Sequence, residues 1–310
     1  MPISFYTAII DVRSILEEYI ISLATPNNLK NIEINGRQLH YVEQGEGQQQ
    51  QQPPVIFIHG SLDDYRCWQY QMDYFSKKYR TISYSRRFAY PNKWMGNVVT
   101  DNTIEENAKD LAELIRKLDL APAHLVGASY GAFIALYCAS KNPELAKTMV
   151  LNEPPIFPFL ARSHLKDDVE LLNGYRSRVQ SPTQNASRVG DFKKAAQVAI
   201  DGIMEIENFF GQLPEEGKQS LIDNAETLES ELESSMSTSF TTEDVKQITT
   251  VPTLLVKGGL SPKYFLRIVD ILSDNMPNIE QIVIPNVSHD DFKSGTFFSS
   301  RVMEFFARHN

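Results

Sequence analysis

Between residues 55 and 153 short apolar runs alternate with stretches of helical periodicity, and this alternation limits the possible folds more than any other feature of the chain. The runs at 55–58, 81–84, 124–126 and 148–151 have the length of buried strands. The segments between them, at 68–78, 104–118 and 130–140, carry helical patterns. Strands separated by helices pair in parallel, because each crossover helix brings the chain back to the same edge of the sheet. The rhythm returns later, with strand runs at 253–256 and 281–284 and helical patterns at 263–274 and 295–308. Ahead of it, runs at 30–34 and 38–42 meet at Asn35-Gly36, a dipeptide tolerant of positive φ, so the sheet is expected to open on an antiparallel hairpin.

The interruption at 154–248 starts with Pro154, Pro155, Ile156, Phe157 and Pro158 and continues with helical patterns at 192–207 and 215–233. We therefore expect one α/β core, residues 29–153 and 249–310, carrying a helical lid at 154–248. Residues 1–28 form a separate unit: Phe5, Ile9, Val12, Leu16, Ile20 and Leu23 fall on one face of an amphipathic helix. Asp11, Arg13, Glu17 and Glu18 break any apolar run there, which argues against a signal peptide or a membrane span. The glutamines at 48–52, followed by Pro53-Pro54, read as an exposed loop.

Thirty basic and 39 acidic residues give a formal charge of -9, a poor balance for neutralising a phosphate backbone, so nucleic acid is not an expected partner. The mean hydropathy of -0.30 argues against an integral membrane protein, and no stable membrane association is expected. With only two cysteines, Cys67 and Cys138, neither a disulfide framework nor a thiolate metal site is expected, and a reducing cytoplasm fits best. No metal-ligand spacing, phosphate loop or dinucleotide fingerprint occurs, so no cofactor is expected.

The strongest local signal is Gly127-Ala128-Ser129-Tyr130-Gly131, placed between the strand run 124–126 and a helical pattern. Small residues on both sides of a serine permit a sharp strand-to-helix turn that lifts the hydroxyl above the sheet, and the helix N-terminus behind it favours developing negative charge. A second signal is His59-Gly60-Ser61 after the run 55–58, where a glycine lets the backbone come close to a bound carbonyl.

With these two motifs, residues 30–308 resemble an α/β-hydrolase-fold enzyme, similar to the small esterases, lactonases and haloperoxidase-like hydrolases. The resemblance implies a mostly parallel eight-stranded sheet flanked by helices, with Ser129 as nucleophile. It also implies that the backbone N–H groups of Ser61 and Tyr130 form the oxyanion hole, each such donor contributing about 2.7 to 4 kcal/mol to the transition state. Epoxide hydrolases and haloalkane dehalogenases share the fold but use an aspartate at the nucleophile position, so their chemistry is disfavoured here.

In this fold the chain order is nucleophile, acid, histidine. His40, His59 and His124 precede Ser129, His164 falls in the insertion and His309 is the penultimate residue, which leaves His289 as the general base. The loop that carries the acid in many relatives reads Lys257-Gly258-Gly259-Leu260-Ser261-Pro262 here and lacks a carboxylate. Another arrangement in the superfamily puts the acid at the end of the strand after the nucleophile helix, and Glu153 stands there. Asp290, Asp291 and Asp270 are reserves. His59 is expected to hold the oxyanion loop, and with Trp94, Phe157, Phe159, Phe209 and Phe210 it is grouped with a substrate pocket; Arg86, Arg87 and Lys93 read as loop cations that would be solvated or face a carboxylate-bearing substrate. The expected activity is hydrolysis of a small ester or lactone by a monomer or homodimer, with C–C hydrolysis, perhydrolysis or a non-catalytic receptor on the same scaffold as alternatives.

Overall fold

In the computed structural model, which describes residues 28–45, 52–92, 98–289 and 296–310, Asn35 and Gly36 take φ of 49° and 75°. This left-handed pair is what a two-residue hairpin turn requires, and it joins β1 (Lys30–Ile34) to β2 (Arg37–Gln44) in an antiparallel pair. The rest of the sheet comprises β3 (Val55–Ile58), β4 (Thr81–Tyr84), β5 (Ala123–Ala128), β6 (Ala146–Asn152), β7 (Thr253–Gly258) and β8 (Ile279–Ile284). The order across the sheet is β1-β2-β4-β3-β5-β6-β7-β8. β2 meets β4 antiparallel, and every later pairing is parallel.

Every residue of β3, β4 and β5 is buried, as strands covered on both faces should be, and polar side chains among them are bonded: Ser83 Oγ donates to the Tyr65 carbonyl at 2.8 Å and His124 Nδ1 lies 2.8 Å from Thr148 Oγ1. The helices Ile104–Lys117, Tyr130–Lys141 and Lys263–Asn275 share one apolar cluster, and the helices Gln69–Phe75 and Thr296–His309 share a second. The chain leaves β3 for β4 on one side of the sheet and reaches β5 on the other, which makes the carboxyl ends of β3 and β5 a switch point where open α/β sheets bind ligands.

Between β6 and β7 the chain forms the helical insertion, from Pro158–Ala161 to Thr242–Lys246. Part of it belongs to the main core: Phe157, Leu160, Tyr175, Val179, Leu232 and Phe240 join the larger cluster. The remainder, around Ala195, Ala199, Phe209, Phe210 and Leu228, makes its own cluster, which reaches the core at Leu62. The single helix expected at 215–233 is two, Glu215–Asp223 and Leu228–Ser237. Asn224 stands at the break because its side chain binds the core, donating to Asp64 Oδ2 at 2.9 Å and accepting from the Tyr90 N–H at 2.8 Å. The helix expected at 192–207 ends at Met204, where Glu205 turns left-handed at φ 53°.

The helix expected over residues 1–28 lies, but for Asn28, outside the described residues, as do Lys93, Trp94, Asp290, Asp291 and all but the last of the glutamines at 48–52. Among the described residues no helix is long and apolar enough to cross a membrane.

Arg86 and Arg87 are not the solvated loop cations expected from sequence. They are 1% and 3% exposed, and each has a carboxylate partner. Arg87 grips Asp110 with Nε and Nη2, both at 2.7 Å. Asp110 also accepts from Asn35 Nδ2 at 2.9 Å, so this pair ties the hairpin turn and the loop after β4 to the helix Ile104–Lys117. Loss of Asp110 would leave the buried Arg87 guanidinium only the partly exposed Glu106 carboxylate at 3.3 Å and the Asp101 carbonyl, so Asp110→Ala is expected to lower the unfolding free energy by about 3 kcal/mol, the low end for breaking a buried pair. Urea denaturation monitored by tryptophan fluorescence measures this, and an unchanged midpoint would contradict it.

Candidate active site

Ser129 is the single residue between β5 and the helix Tyr130–Lys141, and it takes φ 49° and ψ -120°. A non-glycine residue there stores about 1 to 3 kcal/mol of strain that surrounding packing must hold. The flanking glycines make the turn possible. A Cβ on Gly131 would lie 2.2 Å from the Ile58 carbonyl oxygen and 2.5 Å from that of His59, and one on Gly127 would lie 2.6 Å from Ala132 Cα. The loop after β3 also passes near, though less tightly, since a Cβ on Gly60 would sit 3.3 Å from that of Ser129. Tyr130 opens the helix, so its N–H has no acceptor within the helix and points out of its end.

The Ser129 N–H donates to the Asn152 carbonyl at 2.8 Å, which places the serine against the end of β6. The next residue is Glu153, at φ 43° and fully buried. Its Oε1 accepts from the Gly258 N–H at 2.7 Å, and its Oε2 lies 2.6 Å from His289 Nδ1. A carboxylate oxygen accepts, so Nδ1 carries the proton of this bond and Nε2 is left as an acceptor. The imidazole is 4% exposed and stacks on Phe265 with ring centroids 3.7 Å apart and planes 3° apart. Asn152 Nδ2 donates to the His289 carbonyl at 3.4 Å, so one residue links the serine's backbone to the histidine's.

Gly258 is the hinge of this arrangement. A Cβ there would lie 2.6 Å from both Ser261 Oγ and the Val287 carbonyl, so only glycine lets β7 end against the histidine-bearing loop. That loop is held by Gly259 N–H to Ile284 O at 2.8 Å and Leu260 N–H to Val287 O at 2.9 Å. Sequence reasoning missed the roles of Gly258, Phe265 and Asn152. The Gly258-Gly259 pair, standing where relatives carry an acid, was the available signal for a close backbone approach.

The structure thus brings Ser129, Glu153 and His289 to the carboxyl ends of β5, β6 and β8. Asp270 is engaged elsewhere, accepting from Lys257 Nζ at 2.7 Å. His59 is fully buried with both ring nitrogens used by the backbone: Nε2 accepts from the Arg86 N–H at 2.9 Å, which leaves Nδ1–H to donate to the Gly60 carbonyl at 2.9 Å. It holds the loop that carries Ser61 and has no ring nitrogen left for a substrate, which corrects its grouping with the pocket. Two other histidines are bound away from the site, His40 to Asn92 and His124 between Thr148 and the stacked ring of Phe306, where burial pushes the His124 pKa down to about 4.

The aromatic residues divide. Phe157 stacks on Tyr175 at 3.9 Å and reaches the imidazole through Tyr264 and Phe265, whereas Phe159 packs in the main core. Phe209 and Phe210 pack the insertion's own cluster, which includes Leu62, so they hold the insertion against the loop after β3.

The model of the α/β hydrolase fold matches residues 53–296, and the chain belongs to that family. Its sequence is 30% identical over 179 residues to the (E)-2-((N-methylformamido)methylene)succinate hydrolase of Acinetobacter baylyi, a match covering 57% of this chain and 65% of that protein. Matches to three curated relatives span 65%, 55% and 32% of those proteins' own lengths. The enol-lactonase of Burkholderia xenovorans LB400 superposes with a TM-score of 0.71 at 18% identity, over 90% of this chain and 100% of that one. A thermophilic esterase of Thermogutta terrifontis does so with a TM-score of 0.70 at 18% identity, over 91% and 100%. At this identity the two structures establish the shared fold.

Proposed function

We propose that the chain is a serine hydrolase that cleaves small carboxylic esters or lactones through an acyl-enzyme on Ser129. The observation that carries this reading is the 2.6 Å bond from Glu153 to His289 Nδ1, formed beside a serine held in a strained strand-to-helix turn. That bond fixes the imidazole tautomer with Nε2 free to take a proton. In the proposed reaction the Ser129 hydroxyl attacks the carbonyl carbon while its proton passes to His289 Nε2. The oxyanion is received by the N–H groups of Ser61 and Tyr130, and Glu153 stabilises the imidazolium. His289 then protonates the leaving alcohol, and water, activated by the same nitrogen, releases the acid.

The fold shared with an enol-lactonase and an esterase is consistent with this reading, as is the relation to a hydrolase of a substituted succinate. The test is a panel of p-nitrophenyl acetate, p-nitrophenyl butyrate, a simple lactone, a vinylogous diketone, and acetate with hydrogen peroxide. Turnover of the esters or the lactone well above the other substrates is expected. Turnover confined to the diketone or to peracid formation would overturn the ester assignment in favour of C–C hydrolysis or perhydrolysis. Tight ligand binding without turnover, unaffected by replacing His289, would mark a receptor.

A further inference from the structure

Arg86 occupies an unusual position for a buried cation. Its Nη2 donates to the Gly60 carbonyl at 2.9 Å and to Glu231 Oε1 at 2.8 Å, and its Nε donates to the His59 carbonyl at 3.2 Å. The guanidinium carbon lies 4.9 Å from the centre of the Tyr130 ring. Arg86 and Glu231 are each 1% exposed, and Nη1 of the one and Oε2 of the other are buried without a hydrogen-bond partner among the described residues. The direction of the guanidinium fork is therefore set by two backbone carbonyls of the loop after β3 and by one carboxylate on the insertion helix Leu228–Ser237.

The Gly60 carbonyl and the Ser61 N–H belong to the same peptide unit, which is trans and planar, so the two groups point in opposite directions. Two donors, His59 Nδ1 and Arg86 Nη2, hold that carbonyl on the buried side. The Ser61 N–H is thereby turned to the other side, and a charged donor on the carbonyl polarises the peptide and strengthens its N–H. We infer that Arg86 and Glu231 are positioning residues for the oxyanion hole, the insertion aiming the Ser61 N–H through the Glu231–Arg86–Gly60 chain. This rests on the oxyanion role proposed for Ser61. Reaction geometry thus depends on an insertion residue that touches no reacting atom, and departure of the helix Leu228–Ser237 from the core would loosen the oxyanion hole.

The experiment compares wild type, Glu231→Ala, Glu231→Gln and Arg86→Lys, each checked for folding by circular dichroism. Measured quantities are kcat and KM on p-nitrophenyl butyrate and the Ki of an alkyl trifluoromethyl ketone, whose adduct with the serine carries an oxyanion. Glu231→Ala is expected to lower kcat and raise the ketone's Ki by a common factor on the order of ten to a hundred, because small misplacement of a catalytic group carries that penalty. KM should stay within about threefold, since the lost interaction belongs to the transition state. Glu231→Gln, which keeps an acceptor for Nη2, should recover most of both. Arg86→Lys, which cannot span the Gly60 carbonyl, the His59 carbonyl and the carboxylate at once, should resemble Glu231→Ala. If Glu231→Ala does not fold, Glu231→Gln and Arg86→Lys decide the matter. Folded variants with wild-type kcat and Ki, or with lowered thermal stability alone, would overturn the inference and leave the hydrolase reading standing. A wild type that neither turns over the ester nor binds the ketone would overturn both.

Discussion

Ser129→Ala is expected to lower kcat for ester hydrolysis by about a millionfold, the scale on which a serine nucleophile acting with its base is lost. The size follows from the position of the hydroxyl. Ser129 alone stands at the turn between β5 and the helix Tyr130–Lys141, against the Asn152 carbonyl. Alanine tolerates the same backbone about as well as serine does, so thermal stability should hold while turnover disappears. The residue of activity should be what the oxyanion donors and binding provide by themselves. Initial rates on p-nitrophenyl butyrate, with a melting curve on the same preparation, measure both halves of this prediction. Unchanged turnover would remove Ser129 from the reaction.

Glu153→Gln should lower kcat on the order of 10⁴-fold in a folded protein. The hydrogen bonds dictate the mechanism of that loss. Oε1 receives the Gly258 N–H at 2.7 Å, so in the variant the amide oxygen must stay on that side and the NH₂ must face His289 Nδ1. Nδ1 then becomes the acceptor, the proton moves to Nε2, and Nε2 can no longer take the serine's proton as the proposed reaction requires. Glu153→Ala lets the imidazole choose its tautomer but leaves it without a carboxylate, and it should also lose most activity. Near-normal kcat in either variant would return the acid role to Asp290 or Asp291.

Much of this arrangement was legible before any coordinates. The strands 55–58 and 81–84 are found where the sequence puts them: the first is apolar along its whole length, as a strand buried on both faces can be, and the second buries Thr81 and Ser83 because their hydroxyls donate to the Gln44 and Tyr65 carbonyls. The turn at Asn35-Gly36 was readable from the tolerance of both residues for positive φ. The strand-to-helix turn at Ser129 was readable from Gly127 and Gly131, which have backbone where a side chain would have to go.

What sequence could not supply depends on contacts far apart in the chain. The helical pattern at 215–233 runs on through Asn224, and only the partners of its amide, Asp64 and the Tyr90 N–H, explain the break. Arg86 and Arg87 look like solvated loop residues until Glu231, 145 positions later, and Asp110, 23 positions later, are brought beside them. The stacking of Phe265 on His289 joins a helix to a loop, and no local pattern announces it. Glu153 could be named as the candidate acid, but its positive φ and the 2.6 Å contact of its carboxylate with the imidazole leave no mark in composition.

The central claim is that Ser129 is a nucleophile activated by His289 and Glu153. It is tested most directly by treating the intact protein with a fluorophosphonate and locating the adduct by mass spectrometry of the digested chain. A single phosphonyl adduct on the peptide that contains Ser129 is predicted, absent from Ser129→Ala and strongly slowed in Glu153→Gln. An unmodified Ser129, or an adduct formed equally well in the Ser129→Ala protein, would contradict it.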